Sequence, residues 1–418
     1  MIDEVLRAEV EKWITEDPDP VTRKELQKLL DTSDEATLRS CFSGFLEFGT
    51  AGLRGPLGPG PSRMNRAVVT KTAAGIATYM KRHGLNSVVI GRDARYGSED
   101  FTRDTAEIMM GAGFTTYVLP RPLPTPVLAY AVRNLRCDVG IMVTASHNPP
   151  QDNGYKVYLG GTVNGVAYNG SQIISPTDAE ISRDISEVPP LPTLTRAAGW
   201  NVLDESSVDS YVTATSRLAT KPGSLKVVYS AMHGVGTETL RKVFIAAGFP
   251  EPILVAEQAE PNPDFPTVAF PNPEEPGAID LSLKKAADVS ADLVIANDPD
   301  ADRCAVAIND PVNGWRMLRG DEVGVLLGHY LISKNSVNGL RIANSLVSSS
   351  LLGKIAAKNG LEFKETLTGF KWISKVENLL FGYEEALGYC VDPSHTPDKD
   401  GITAAVVMVR SEERRVGK

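Results

Sequence analysis

Three carboxylates take every second position of NDPDADR, residues 297–303: Asp298, Asp300 and Asp302. Alternate side chains of extended backbone point the same way, so the three can converge on one hard cation, Mg2+ above all. An EF-hand loop also opens D-x-D-x-D, but here its sixth position is Arg303 in place of glycine and its twelfth is Asn309 in place of glutamate. The flank disagrees too, since the preceding DLVIA reads as a strand. The bland alternative is a solvated acidic turn, although turns rarely stack three aspartates straight after a buried strand.

A second candidate is TASHNPPQDNGYKVY, residues 144–158, which follows an apolar, strand-like run. Ser146 can be a turn residue, a helix cap or a nucleophile. No G-x-S-x-G elbow surrounds it, so an α/β-hydrolase is unsupported. His147 is a catalytic candidate but need not be a general base, because neighbouring side chains usually diverge. Lys156 follows ten residues later. A serine near Mg2+ and a lysine suits phosphoryl transfer, where positioning and charge neutralisation supply most of the catalysis. GYEEALG, residues 382–388, comes shortly after TGFKW, residues 368–372. Its Glu384 and Glu385 can accept hydrogen bonds from vicinal sugar hydroxyls, or the segment is an exposed acidic turn. Arg54, in the glycine-flexible FGTAGLRG of residues 48–55, can donate to a phosphate. His233, in MHGVG after a strand, either faces the same cleft or is structural.

Placing these groups requires strands that end in loops. Residues 1–46 read as helical, with Pro18 and Pro20 breaking the run. Beyond the glycine-rich loop, VVTKTAAGIATYMKRHG is a helix ended by Gly84, SVVIGRDAR a strand and loop, and EDFTRDTAEIMMGAG a glycine-capped helix. TTYVLP is a strand, PTPVLAYAVRNL a helix and DVGIMV a strand. This alternation signals a wound α/β domain. The pattern returns in SLKVVYSAMHGVG, TETLRKVFIAAG, EPILVAE, AIDLSLKKAADVS and ADLVIANDPDADR, and a third set starts near Gly314. The expected organisation is three similar α/β units over residues 1–205, 206–313 and 314–418, without a strict short repeat. The proline-dense EPNPDFPTVAFPNPEEPG, residues 260–277, is expected as an ordered surface loop or a partner of the cleft.

Bulk properties exclude several classes. With 418 residues the chain exceeds one hydrophobic core. The net charge of -9 argues against general binding to nucleic acid or to a membrane surface, so any bound anion must meet locally placed Arg, Lys or backbone N–H groups. Cys41, Cys137, Cys304 and Cys390 lie far apart and form no C-x-x-C pair, which argues against a disulfide framework or structural zinc. The N-terminus has no secretory pattern, and no run of apolar residues is long enough to span a bilayer, so a cytoplasmic location is expected.

Taken together, FGTAGLRG, TASHNP, NDPDADR and YEEALG resemble, in order, the motifs of the α-D-phosphohexomutase superfamily, the phosphoglucomutase/phosphomannomutase enzymes. The resemblance runs from about residue 40 to 410, and the EEALGY and MHGVG variants look most like the branch that includes phosphopentomutase and glucose-1,6-bisphosphate synthase as well as phosphoglucomutases. It implies mixed sheets around a shared cleft, and Ser146 as a phosphorylated nucleophile. Asp298, Asp300 and Asp302, with a phosphoserine oxygen of Ser146, would hold Mg2+. Arg303 and Arg54 would steady the transferring phosphate, and Lys156 would be the acid/base partner. Glu384 and Glu385 would hold sugar hydroxyls, with Thr368, Lys371 and Lys399 as further substrate-binding candidates. Glucose 1,6-bisphosphate is the implied activator and a small sugar phosphate the implied partner.

Departures from the family pattern are Pro299 and Ala301, where glycines are frequent, and Ala386, where a serine is common. The family's fourth, C-terminal domain carries an R-x-S-G-T-like loop that grips the non-reacting phosphate, and no such motif appears here. The terminal SEERRVGK reads as a truncation scar or foreign end, which leads to the expectation of a poor mutase unless Lys371, Lys399 or a partner subunit provides that grip. The reading is an intramolecular phosphotransferase on hexose phosphates, with glucose as the sugar and mannose or pentose phosphates as alternatives. A metal-dependent phosphatase and a catalytically impaired sugar-phosphate binding fragment are the rivals.

Overall fold

A computed structural model describes residues 2–47, 52–219, 223–336 and 338–410. Phe48–Ala51 of the glycine-rich loop and the tail 411–418 lie outside the described residues. The chain opens with α1 (Glu4–Glu16), α2 (Pro20–Asp31) and α3 (Glu35–Cys41), which share a small apolar cluster of Leu6, Val10, Leu26, Leu30 and Leu38. Pro20 does more than break the run. It opens α2, whose cap Asp19 accepts from the Val21 N–H at 2.8 Å.

The first α/β unit comprises β1 (Leu53–Pro56), α4 (Arg66–Arg82), β2 (Ser87–Arg92), α5 (Ser98–Gly111), β3 (Thr115–Val118), α6 (Thr125–Asn134), β4 (Val139–Val143) and β5 (Asp152–Leu159). After a small arm, β6 (Thr162–Val163), β7 (Val166–Ala167) and β8 (Ser171–Gln172), come α7 (Thr177–Ser186) and β9 (Asn201–Val202). Its sheet runs β1-β5-β4-β2-β3-β9, parallel in β4-β2-β3-β9 and antiparallel where β5 meets β4 and β1.

The second unit has α8 (Ser206–Ser216), β10 (Val227–Ser230), α9 (Gly236–Ala246), β11 (Ile253–Leu254), α10 (Asp280–Asp288), β12 (Leu293–Ala296), β13 (Ala305–Asp310) and β14 (Gly314–Met317), in sheet order β11-β10-β12-β13-β14. Here β14 pairs with β13, so this sheet continues past residue 313. EPILVAE yields only the two-residue β11, an edge strand that follows Pro252 and leads into a 3-10 turn at Ala256–Gln258. The third unit has α11 (Gly320–Lys334), β15 (Arg341–Ser345), α12 (Leu351–Lys358), β16 (Glu362–Thr366), α13 (Phe370–Ile373), β17 (Leu379–Glu384), β18 (Gly388–Cys390) and α14 (Gly401–Val409), in sheet order β16-β15-β17-β18.

The three mixed sheets repeat one device. A buried parallel strand ends in a loop, and the chain returns antiparallel beside it: β4 into β5, β12 into β13, β17 into β18. Those three turns carry Ser146, the aspartate triad and Glu384–Glu385. The backbone echoes the repeat elsewhere. Ser146 N–H donates to Thr144 Oγ1 at 2.9 Å, and in the second unit Met232 N–H donates to Ser230 Oγ at 3.0 Å, both residues having positive φ.

One apolar cluster joins the units, with Leu128 and Tyr158 from the first, Phe244 and Ile295 from the second, and Phe381 and Val406 from the third. Burial of each such side chain contributes about 1.5–3 kcal/mol, so the turns are held over a common base. All four cysteines are buried and free. Among the described residues no helix is long and apolar enough to cross a membrane.

Candidate active site

Ser146 is not a helix cap, because the chain after it returns as β5. Its backbone is left-handed, with φ 53°, a conformation that costs a non-glycine residue roughly 1–2 kcal/mol. The gain is direction. The buried hydroxyl donates to Asp298 Oδ2 at 2.8 Å, across from the first unit to the second. The same backbone brings His147 Nδ1 to 3.2 Å from Ser146 Oγ, so the expected divergence of these neighbours does not occur. The His147 pKa is pushed down to about 3 by burial and by the guanidinium charges of Arg303 and Arg54. The imidazole is therefore neutral at physiological pH and a weak proton acceptor.

The triad follows β12 directly, and Asp298, Asp300 and Asp302 are each at most 1% exposed. Ala301, between the last two, has φ 55°; alanine here takes a conformation that glycine would adopt without strain. Ligand atoms of the three carboxylates lie within 4.8 Å of one another. Asp300 Oδ2 accepts from Thr125 Oγ1 at 2.5 Å and from Lys156 Nζ at 2.7 Å. Asp302 Oδ2 accepts from Lys156 Nζ at 2.8 Å and lies 3.3 Å from Lys399 Nζ. Lys156 itself is 1% exposed and reaches the triad from β5.

Burial pushes all three carboxyls toward neutrality, with different outcomes. Asp298 ends well above the usual range, through burial and the charges of Asp300 and Asp302. For Asp300, burial and Asp302 are outweighed by the Lys156 ammonium and the Thr125 hydroxyl, and its pKa falls. For Asp302, burial is outweighed by Lys156, Lys399 and Arg303, and its pKa falls. Asp300 Oδ1 and Asp302 Oδ1 are buried without a hydrogen-bond partner. Orphaned anionic oxygens in a converging all-oxygen set fit a hard divalent cation, and the residues present match Mg2+ in chemistry.

Two guanidiniums flank this centre. Arg54 stands opposite Gly154 on β5, where a Cβ would meet Thr144 O at 2.6 Å and Arg54 Cγ at 2.8 Å, so only glycine lets the arginine pass. Arg54 Nη1 makes a long 3.4 Å contact to Asn148 Oδ1, and its Nε has no partner. Arg303 Nη1 is 3.7 Å from Glu274 Oε2, and its Nε is likewise unpartnered. Such half-satisfied forks are suited to an incoming phosphate.

The two glutamates part company. Glu384 Oε1 accepts from the Gly369 N–H at 2.7 Å, and its pKa is raised, chiefly by burial, against the opposing charge of Lys399. Glu385 Oε2 accepts from Ser345 Oγ at 3.0 Å and Ser348 Oγ at 2.8 Å. Lys399 is among the triad; Lys371 is not, and its Nζ turns to Asp178 Oδ2 at 3.9 Å. Thr368 is exposed and has no hydrogen bond among the described residues. His233 is part of the second unit's own scaffold, within 2.8 Å of Thr267 Oγ1.

Sequence reasoning passed over Arg95, Thr125, Ser345, Ser348 and the aromatic groups of the proline-dense loop. That loop does lie on the cleft. Phe270 packs edge-on to His147 at 5.9 Å, Phe265 lies 4.9 Å from the Arg95 guanidinium, and Asp264 accepts from Tyr96 Oη at 3.0 Å. The available signal was its density of prolines and aromatics beside an expected cleft.

Known proteins share this plan. Family models described as phosphoglucomutase/phosphomannomutase, alpha/beta/alpha domains I, II and III, match residues 46–189, 208–314 and 319–415. A probable phosphomannomutase of Haemophilus influenzae is 52% identical over 350 residues, covering 83% of this chain and 71% of that protein. A phosphopentomutase of Mus musculus is 37% identical, covering 97% and 70%. The glucose 1,6-bisphosphate synthase of Homo sapiens is 34% identical, again covering 97% and 70%. Among solved structures, a putative phosphomannomutase from Thermus thermophilus superposes with a TM-score of 0.74 at 26% identity, covering 88% of this chain and 79% of that one.

Proposed function

This chain belongs to the phosphoglucomutase/phosphomannomutase family of mutases, and on that footing we propose that it interconverts hexose 1-phosphate and hexose 6-phosphate, with glucose as the sugar, through a phosphoserine at Ser146 and a bisphosphate intermediate. The observation that carries the proposal is the Ser146 hydroxyl, fixed 2.8 Å from Asp298 beside a buried acidic triad. A serine that only shaped a turn would gain nothing from that placement.

In this reading phosphoserine 146 gives its phosphoryl group to a sugar hydroxyl. The Oγ–P bond breaks, a sugar O–P bond forms, and the hydroxyl proton ends on Ser146 Oγ. The bisphosphate then turns round and returns its other phosphoryl group. Arg54 and Arg303 hold phosphate oxygens, their unpartnered nitrogens supplying the donors. Lys156 acts as the acid/base partner, and Asp300 and Asp302 fix its ammonium so that positive charge stands near the attacking group. Glu384 and Glu385 orient sugar hydroxyls, Glu384 within the field of the Lys399 and Arg303 charges. Asp298, Asp300 and Asp302, with a phosphoserine oxygen, would hold Mg2+, which when bound supplies charge where phosphoryl oxygens gather. Glucose 1,6-bisphosphate serves as the activator that primes Ser146.

A second reading, pentose phosphate as substrate, is favoured by the phosphopentomutase and phosphoribomutase relatives, which match 96–97% of the chain. The test is a panel of glucose, mannose and ribose 1-phosphates with Mg2+ and glucose 1,6-bisphosphate, following isomerised sugar and free phosphate together. We expect glucose 6-phosphate to form fastest. Faster ribose turnover would move the assignment to pentoses, and free phosphate without isomer would establish the phosphatase reading instead.

A further inference from the structure

Between β2 and α5 lies one guanidinium that neither the triad nor the phosphate-facing arginines account for. Arg95 is 5% exposed. Its Nη1 donates to Pro149 O at 2.8 Å and Asp152 O at 3.1 Å, and its Nη2 to Ser146 O at 2.8 Å and Asn148 O at 2.6 Å. Three of these acceptors are carbonyls of the turn that joins β4 to β5, and the fourth is the carbonyl of Asp152, the first residue of β5. Asp93 Oδ2 stands 3.4 Å from Arg95 Nε, and Asp93 Oδ1 accepts from the Arg95 N–H at 3.0 Å and Ser98 Oγ at 2.7 Å. Phe265, from the second unit's proline-dense loop, lies with its ring centroid 4.9 Å from the guanidinium.

We propose that Arg95 is the positioning residue of the nucleophile loop, fixing where Ser146 Oγ points; the inference rests on the reading of Ser146 as phosphoryl acceptor. The peptide unit before Ser146 Cα is pinned by Thr144 Oγ1, which accepts from the Ser146 N–H at 2.9 Å. The peptide unit after it is pinned by Arg95 through Ser146 O. With both flanking peptides held, the left-handed φ of 53° and the Cα–Cβ direction are set, and the hydroxyl meets Asp298. Freed of Arg95, four inward carbonyls repel one another and the serine relaxes toward ordinary φ. Arginine suits the task because its planar fork presents two nitrogens to separate acceptor pairs, which a lysine ammonium cannot reproduce.

The experiment uses the full chain with Mg2+ and glucose 1,6-bisphosphate, and follows phosphate addition to Ser146 by intact mass. In the step read, the sugar O–P bond breaks, the Oγ–P bond forms and the serine proton passes to the sugar oxygen, releasing a hexose monophosphate. The amplitude counts folded molecules, whereas the rate constant reports loop geometry. For Arg95→Lys we expect the rate constant to fall by about 100-fold, the cost of a misplacement on the order of 1 Å, with the concentration of bisphosphate giving half-maximal rate little changed. For Asp93→Asn, a milder loosening of the same arginine, we expect a severalfold fall. Rate constants within twofold of wild type in both variants would overturn the proposal, even if amplitude or melting temperature dropped. Absence of labelling in the wild-type protein would overturn the phosphoserine reading itself.

Discussion

Replacing Lys156 by methionine removes one ammonium from a buried cluster of charges while keeping most of the stem volume. The ammonium makes charge-assisted bonds of 2.7 and 2.8 Å to Asp300 and Asp302, and all three side chains are at most 1% exposed. Removing one partner from a buried ion pair costs about 3–5 kcal/mol, because the other charge is left without compensation. Here two carboxylates are stranded, with Lys399 at 3.3 Å from Asp302 and the Thr125 hydroxyl on Asp300 as the remaining relief, so the upper end of that range is expected. Against a folding stability of roughly 5–15 kcal/mol the loss is large. Urea denaturation followed by circular dichroism, in EDTA, should show it as a lowered first transition. Adding Asp300→Asn to Lys156→Met should recover about 2 kcal/mol by removing one stranded charge, within the range of coupling between contacting residues. Excess Mg2+ should narrow the deficit of the single variant by supplying the missing positive charge. A cost below about 1 kcal/mol, the level of an exposed ion pair, would refute the view that Lys156 holds Asp300 and Asp302 ionised.

Two further outcomes follow from the same structure. Asp300→Asn should raise the Mg2+ concentration needed for half-maximal activity by about 10–100-fold and cut turnover, since one anionic ligand becomes neutral; an unchanged Mg2+ titration would reduce the triad to an acidic turn. Lys375 packs over Tyr168 at 3.8 Å and donates to Ser171 Oγ, and burial pushes its pKa from the ordinary 10.5 down to about 7 against the opposing charge of Asp398. Between those values the unfolded chain binds the proton that the folded chain has released. Stability relative to Lys375→Met should therefore rise with pH through that window, by up to about 1.4 kcal/mol per pH unit, and that gain should be lost as pH falls back through it to the folded value. A melting-temperature difference that stays flat from neutral to alkaline pH would contradict this.

The strand-and-loop frame was legible because each site turn follows a short apolar run, and the alternation of Asp298, Asp300 and Asp302 survives folding as one converging set. What escaped reading depends on groups far apart in the chain. Nothing local to GRDAR indicates that Arg95 collects carbonyls of residues 146–152, and nothing in NGYKVY says that Lys156 crosses to another unit's aspartates. Backbone sign was a second blind spot. A positive φ at Ser146 brings His147 to its hydroxyl, where an ordinary φ would send the two apart. The third was reach: the partners of Lys371 are Asp178 Oδ2 at 3.9 Å, far back in the first unit's sequence, and the Trp372 ring at 5.9 Å, and nothing local to TGFKW indicates the first of them.

The most direct test of the account is transfer of labelled phosphate from glucose 1,6-bisphosphate to the protein, with the labelled residue mapped by peptide mass spectrometry. We predict one phosphate per chain, on Ser146, chased off by added hexose monophosphate. We predict none in Ser146→Ala, which should melt at nearly the wild-type temperature because a loop serine supports little core. Label on a different residue, or near-wild-type interconversion by Ser146→Ala, would contradict it.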